Sequence, residues 1–131
     1  MGRDKGPTAE LAADYAARLQ RFAEFEAFEL KASTPDKEAA ELLGKVRGEL
    51  WALDQRGTEL TSAQLAERVG RTAQITLCIG GDEGLAEPVR KQARLVWSLS
   101  KLTLPHRLAR VLALEQMYRA FEILRGGPYH K

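Results

Sequence analysis

The sequence predicts an α/β domain with a mainly parallel sheet and helices on both faces, and three observations carry that prediction. Short apolar runs of strand character alternate with segments of helical periodicity about ten to fifteen residues long. One run, "AQITLCIGG", is apolar nearly throughout, the pattern of a strand covered on both faces. The chain has 131 residues, 44% hydrophobic and 29% charged, which suits one domain spanning 1–131, and no repeat, low-complexity tract or linker divides it.

The elements follow in order. After Pro7 and Thr8, the residues Leu11, Tyr15, Leu19 and Phe22 recur at helical spacing, predicting an amphipathic helix from about Thr8 to Arg21. "AFELKA" is short and apolar enough for a strand. "STPD" supplies a helix start, and helical periodicity then runs from Lys37 to Arg47. "GELWALD" reads as a second strand, "QRGTEL" as a turn, and Thr61 or Ser62 as the start of a helix through "AQLAERVG". The buried strand "AQITLCIGG" follows, then a glycine loop beside a helix start, then the short apolar segment "RLVWSLS". A long helix is expected from about His106 to Leu124, with Leu108, Val111, Leu112, Tyr118, Phe121 and Leu124 among its apolar positions. "RGGPYHK" is a polar tail.

Composition narrows the function classes. No apolar run approaches the roughly 18 to 20 residues needed to span a bilayer, and "MGRDKGPTAE" lacks the apolar centre of a signal peptide, so a cytoplasmic protein without a membrane partner is expected. One cysteine, Cys78, allows no internal disulfide or multi-cysteine zinc site, and its place in "ITLCIG" makes it a core residue. With His106 and His130 the only histidines, and no H-E-x-x-H or Ser-His-Asp spacing, no metal site is expected. The formal charge of +2 conceals an asymmetry: residues 1–89 carry 11 Lys/Arg against 16 Asp/Glu, and 90–131 carry 9 against 2. A basic C-terminal third suits a surface that meets phosphates, such as RNA, although a solvated helix face has the same signature.

In an open parallel sheet, ligands sit at the carboxyl ends of strands. Two loops have that location. Gly80, Gly81 and Gly84 in "GGDEG" leave backbone amides uncovered, as a close-approaching ligand requires and as a tight turn also does. The loop is neither G-x-G-x-x-G nor a P-loop, which weakens dinucleotide and triphosphate binding. Leu99, Ser100, Lys101, Leu102, Thr103 and Leu104 would place hydroxyls, amides and aliphatic groups around one cavity suited to a flat ring with a polar moiety. Three leucines in a six-residue loop need something apolar to cover.

Taken in order, "LCIGGDEGL", "WSLSKLTLPHRLARVLALEQMYRA" and the terminal "PYHK" resemble the bacterial ribosomal large-subunit pseudouridine N3-methyltransferases of the SPOUT superfamily, over nearly the whole chain. The resemblance implies a C-terminal trefoil knot, a known exception to unknotted topology. It also implies an S-adenosylmethionine pocket formed by Leu53, Gly80 and the run Leu99, Ser100, Lys101, Leu102, Thr103 and Leu104. The implied reaction is methylation of N3 of a pseudouridine in a 23S rRNA stem-loop, with the assembled ribosome rather than DNA as partner and with no metal. His130, Tyr129 and Arg119 become candidates for handling the N3 proton, and Arg107, Arg110, Arg125 and Lys131 for contacting RNA. Family members act as homodimers, so the tail of one chain is expected to complete the other's site. One departure is that relatives begin with an apolar strand where this chain reads "MGRDKG", so the first strand is expected to be missing, with a misplaced start codon as the expected cause. Read from the residues alone, the competing function is a non-enzymatic, doubly wound nucleotide-binding module with a basic partner surface.

Overall fold

A computed structural model describes residues 6–21, 25–30, 33–80 and 84–130. Among the described residues, five helices and four strands follow one another as α1 Pro7–Leu19, β1 Phe25–Glu29, α2 Asp36–Gly44, β2 Glu49–Glu59, α3 Ser62–Gly70, β3 Ile75–Ile79, α4 Glu87–Gln92, β4 Leu95–Ser98 and α5 His106–Leu124. The strands form one sheet in the order β1-β3-β2-β4, and every ladder in it is parallel. The expected α/β class with a parallel sheet is therefore the observed one. Residues Met1 to Lys5, where a missing first strand was expected, lie outside the described residues.

Side-chain alternation along the strands sorts the helices onto two faces. Trp51 and Leu53 of β2, and Ile75, Leu77 and Ile79 of β3, join Leu19 of α1, Leu65 and Val69 of α3, and Leu114 and Met117 of α5 in one core. Leu50, Ala52 and Cys78 point the other way, to a second core with Ala39 and Leu43 of α2 and Val89 of α4. All five residues of β3 are buried, as its apolar run requires. Burial pushes the Cys78 thiol up to about 12, so it behaves as a core apolar group.

Local chemistry explains most boundaries. Pro7 opens α1, where its missing N–H costs nothing. Asp36 and Glu38 place negative charge in the first turn of α2, against the positive end of the helix dipole. Thr61 caps α3 in a reciprocal box: its hydroxyl accepts from the Gln64 amide at 3.0 Å, and the Gln64 side chain accepts from the Thr61 amide at 2.9 Å.

Three expectations need correction. The α1 stripe runs through Ala12, Tyr15 and Leu19, and Leu11 is 47% exposed; Phe22 lies outside the described residues. The segment "QRGTEL" is mostly strand, because β2 continues through an irregularity between Leu53 and Thr58 and pairs with β4 again at Thr58 and Glu59. Gly57 makes this possible, since a Cβ there would fall 2.4 Å from the Val96 carbonyl oxygen. Third, α5 has the expected bounds, but Leu108, Leu112 and Leu124 are exposed, and Val111, Ala113, Leu114, Met117 and Ala120 face the sheet. The 3.6-residue period allows only one of these stripes to face inward.

Candidate functional site

The strand irregularity opens a cleft of about 810 Å³. Its walls come from three separated stretches: residues 53–56 of β2, Ile79 with Gly80 and Gly84, and the segment from Leu99 to Ala109 between β4 and the start of α5. Leu53, Ile79, Leu99, Leu102 and Leu104 supply apolar surface, and the Ser100 and Thr103 hydroxyls supply polar groups among them.

The loop after β4 is shaped by its own hydroxyls. Ser98 Oγ donates to the Ser100 carbonyl at 3.0 Å, and Ser100 Oγ accepts from the Leu102 amide at 3.0 Å, which curls the chain into successive side-chain turns. Gln55 ties this loop to β2, its Nε2 donating to the Lys101 carbonyl at 3.3 Å and to Thr103 Oγ1 at 3.2 Å. On the adjacent position Asp54, only 9% exposed, pairs with Arg90 of α4. Of these two neighbouring residues of the β2 wall, one is thus tied to the loop across the cleft and the other to α4 outside it.

Gly80 is fixed by backbone contact. A Cβ at this position would lie 2.6 Å from the Gly84 carbonyl oxygen and 3.0 Å from the Leu85 amide nitrogen. Gly84 itself has φ +96°, which glycine adopts without strain. Gly81 lies outside the described residues.

Leu53, Gly80, Leu99, Ser100, Leu102, Thr103 and Leu104 all line this one cleft. Lys101 does not; its exposed side chain turns away and only its carbonyl is used, by Gln55. Leu102 is 72% exposed despite lining the cleft. Gln55 and Arg56 were missed because "QRGTEL" read as a turn, Asp54 because it read only as the end of the strand "GELWALD", and no sequence signal marks the irregular strand except Gly57. His106 also lines the cleft, and its Nε2 lies 3.7 Å from Glu29 Oε2 at the end of β1.

The proton-handling candidates gather elsewhere. Arg119 donates to Glu115 Oε2 through Nε at 3.0 Å and Nη2 at 2.7 Å, and the Tyr129 hydroxyl donates to the same oxygen at 2.9 Å. Tyr129 in turn takes a hydrogen bond from the Tyr15 hydroxyl of α1 at 3.0 Å. Arg119 Nη1 is 3.1 Å from Nδ1 of His130; a guanidinium only donates, so Nδ1 accepts and the proton of the neutral ring sits on Nε2. Tyr118 meets Tyr129 edge to face at 4.8 Å between centroids. Burial, then the bonds from Tyr15 and Glu115, push the Tyr129 hydroxyl well above its ordinary range, and the Glu115 carboxylate raises Arg119. Both groups therefore keep their protons and act as donors. Glu115 was missed as a site residue, although its i,i+4 spacing to Arg119 was available in the sequence.

From Ala109, the last α5 residue at the cleft, to Arg119 is ten helical positions, about 15 Å at 1.5 Å per residue, and none of Arg119, Tyr129 and His130 lines the cleft. Arg107 and Arg110 are exposed on the first turns of α5, beside the cleft. Arg125 is engaged by the buried carboxylate of Glu122, a local partner that competes with RNA contact. Lys131 lies outside the described residues. Among the described residues, no group of three or more His, Cys, Asp or Glu could hold a metal ion, and no helix is long and apolar enough to cross a membrane.

The cleft suits S-adenosylmethionine in size and chemistry. Its volume is within the roughly 300 to 1,000 Å³ of small-ligand sites. Aliphatic walls fit a flat adenine, and the amides and hydroxyls of the Leu99–Leu104 loop can meet its polar edge.

Comparison with known proteins adds to this geometry. A family model described as "Predicted SPOUT methyltransferase" matches residues 1–130. The chain is 44% identical to the ribosomal RNA large subunit methyltransferase H of Anaeromyxobacter sp. (strain Fw109-5), covering 100% of this chain and 95% of that protein. It is 39% identical to the protein of the same name from Syntrophotalea carbinolica, over 95% of this chain and 90% of that one. For the Caldicellulosiruptor saccharolyticus protein of that name the identity is 37%, with 93% and 90% covered.

Proposed function

The chain belongs to the SPOUT methyltransferase family, and on that premise we propose that it methylates N3 of a pseudouridine in 23S rRNA of the assembled ribosome, using S-adenosylmethionine. The observation that carries this reading is the single cleft built from Leu53, Gly80 and the loop Leu99–Leu104, with aliphatic walls and small polar groups. In this reading that loop is part of a C-terminal trefoil knot, and the protein works in the cytoplasm.

When bound between Leu53, Leu99 and Leu104, S-adenosylmethionine would supply an activated methyl group on a positively charged sulfur, and the acceptor N3 would give up its proton to solvent. The protein's task is then chiefly alignment. Leu53, Leu99 and Leu104 hold the flat ring, while Gln55 ties the β2 wall to the loop opposite and Asp54 is anchored to Arg90 behind it. Arg119 and the Nε2–H of His130 offer hydrogen-bond donors to the acceptor ring, whose carbonyl oxygens gain negative charge as N3 loses its proton, and Tyr129, its own proton held by Glu115, keeps the tail in place. Because Arg119, Tyr129 and His130 do not line the cleft of their own chain, the tail of a second protomer completes each site in this reading. Exposed Leu108 and Leu112, one turn apart on α5, provide apolar surface for such a partner.

The test is to incubate ribosomes carrying the unmethylated pseudouridine with methyl-labelled S-adenosylmethionine and to analyse the nucleosides by mass spectrometry. N3-methylpseudouridine at one 23S position is the expected product. Cofactor binding in calorimetry without transfer to ribosomes, or preference for NAD or ATP, would reject the proposal.

A further inference from the structure

We infer that Glu115 is a positioning residue for the acceptor side of the reaction, orienting Arg119 and the C-terminal tail as one hydrogen-bonded unit; the inference rests on the methyltransferase reading above. Its carboxylate is 13% exposed and accepts from every side. Oε2 takes two bonds from Arg119 and one from Tyr129, and Oε1 takes one from Gln116 Nε2 at 2.7 Å.

An i,i+4 pair on a helix surface would by itself be a minor stabiliser. Here the same oxygen also captures a hydroxyl fourteen residues further along, beyond the end of α5. Two routes therefore fix the tail through Glu115. Tyr129 is bound directly, and His130 is bound through Nη1 of the Arg119 that Glu115 orients. The Arg119 guanidinium also lies over the Tyr129 ring, 4.9 Å from its centroid, so turning the arginine would disturb the tyrosine. Behind Glu115 the network continues to Gln116, whose Oε1 accepts from Ser62 Oγ of α3 at 2.6 Å, and in front it ends on Tyr15 of α1. Glu115 is thus joined to both flanking helices. A half-buried carboxylate whose bonds all serve to orient other polar groups is a positioning device.

The experiment compares wild type, E115Q and E115A by three measurements: cofactor affinity by calorimetry, the single-turnover methylation rate at saturating cofactor and ribosomes, and amide hydrogen exchange in residues 126–130. E115Q is nearly isosteric and keeps the protein folded while removing the charge. The expected result is cofactor affinity within about twofold of wild type in both variants, with the rate lowered roughly 10-fold in E115Q and 100-fold in E115A, the scale of losing one or two charge-assisted bonds. Exchange in the tail should quicken in the same order. A rate at the wild-type level, or affinity and rate falling together as for partial unfolding, overturns the inference. Tail exchange does not depend on methylation: if wild type binds cofactor but methylates no ribosome, the functional proposal fails, while unchanged tail exchange in E115A still refutes the role given to Glu115.

Discussion

Replacing Gly80 by alanine tests the cleft most directly. The added Cβ would sit 2.6 Å from the Gly84 carbonyl oxygen, 2.7 Å from its carbonyl carbon and 3.0 Å from the Leu85 nitrogen, whereas ordinary contact begins near 3.4 Å. The shortfall is thus about 0.4 to 0.8 Å against three backbone atoms, none of which can rotate away as a side-chain end could. The segment from Gly84 to Leu85 must move as a unit, and Leu85 and Ala86 are part of the second core. Overpacking of this kind costs about 1 to 3 kcal/mol. Because Gly80 and Gly84 both line the cleft, the displacement also reshapes the ligand site. Urea unfolding should show a lower midpoint at unchanged slope, and calorimetry should show S-adenosylmethionine binding weakened at least roughly tenfold, the equivalent of about 1.4 kcal/mol. The geometry thus predicts losses of both stability and affinity. Unchanged midpoint and affinity in Gly80→Ala would refute the reasoning.

Gly44→Ala should do the opposite: its Cβ meets nothing within 4 Å at the end of α2, so a gain of about 0.4 to 1 kcal/mol in urea unfolding is expected. Cys78, buried on β3 with its thiol pushed up to about 12, should resist iodoacetamide at pH 8 in the native protein and react fully in denaturant. The raised Tyr129 hydroxyl gives a pH dependence. Its proton is held more tightly in the folded chain than in the unfolded one, so its stabilising contribution is complete below about pH 10 and is lost as pH rises through the higher folded value. Melting temperature measured from pH 9 to 11.5 should fall less steeply for Tyr129→Phe than for wild type.

Much of this molecule was legible from local pattern. The nearly all-apolar "ITLCI" announced a strand buried on both faces, and His106 to Leu124 was readable to its ends because Pro105 starts the helix and glycines follow it. The loop from Leu99 to Leu104 was legible because leucines beside hydroxyls make little sense in water. What escaped depends on partners distant in sequence. Residues 54–56 become a cleft wall only because Gly57 lets β2 pass close to Val96, and a glycine cannot report what lies opposite it. Leu11, Leu108, Leu112 and Leu124 matched the helical period as well as the buried residues did, and the choice between stripes was made by the sheet. Arg119, Tyr129 and His130 could be named as a group, but Glu115, which binds two of them directly, looked like one half of an ordinary surface ion pair.

The two faces of the sheet are unequal, and this sets an order of opening. The face under α1, α3 and α5 holds both tryptophans, Trp51 and Trp97, whereas the face under α2 and α4 is lined by Leu30, Leu43, Leu50 and Leu85 together with Ala39, Ala52 and Ala86. Less apolar area per residue means the α2–α4 layer should detach in partial excursions well below the free energy of global unfolding. Arg90 belongs to that layer and Asp54 to the sheet, so each excursion breaks their pair and frees the Asp54 side chain at the cleft wall. Ligand affinity should then decline with warming before the fold itself melts, while Tyr15, Glu115 and Tyr129, seated on the heavier face, stay joined.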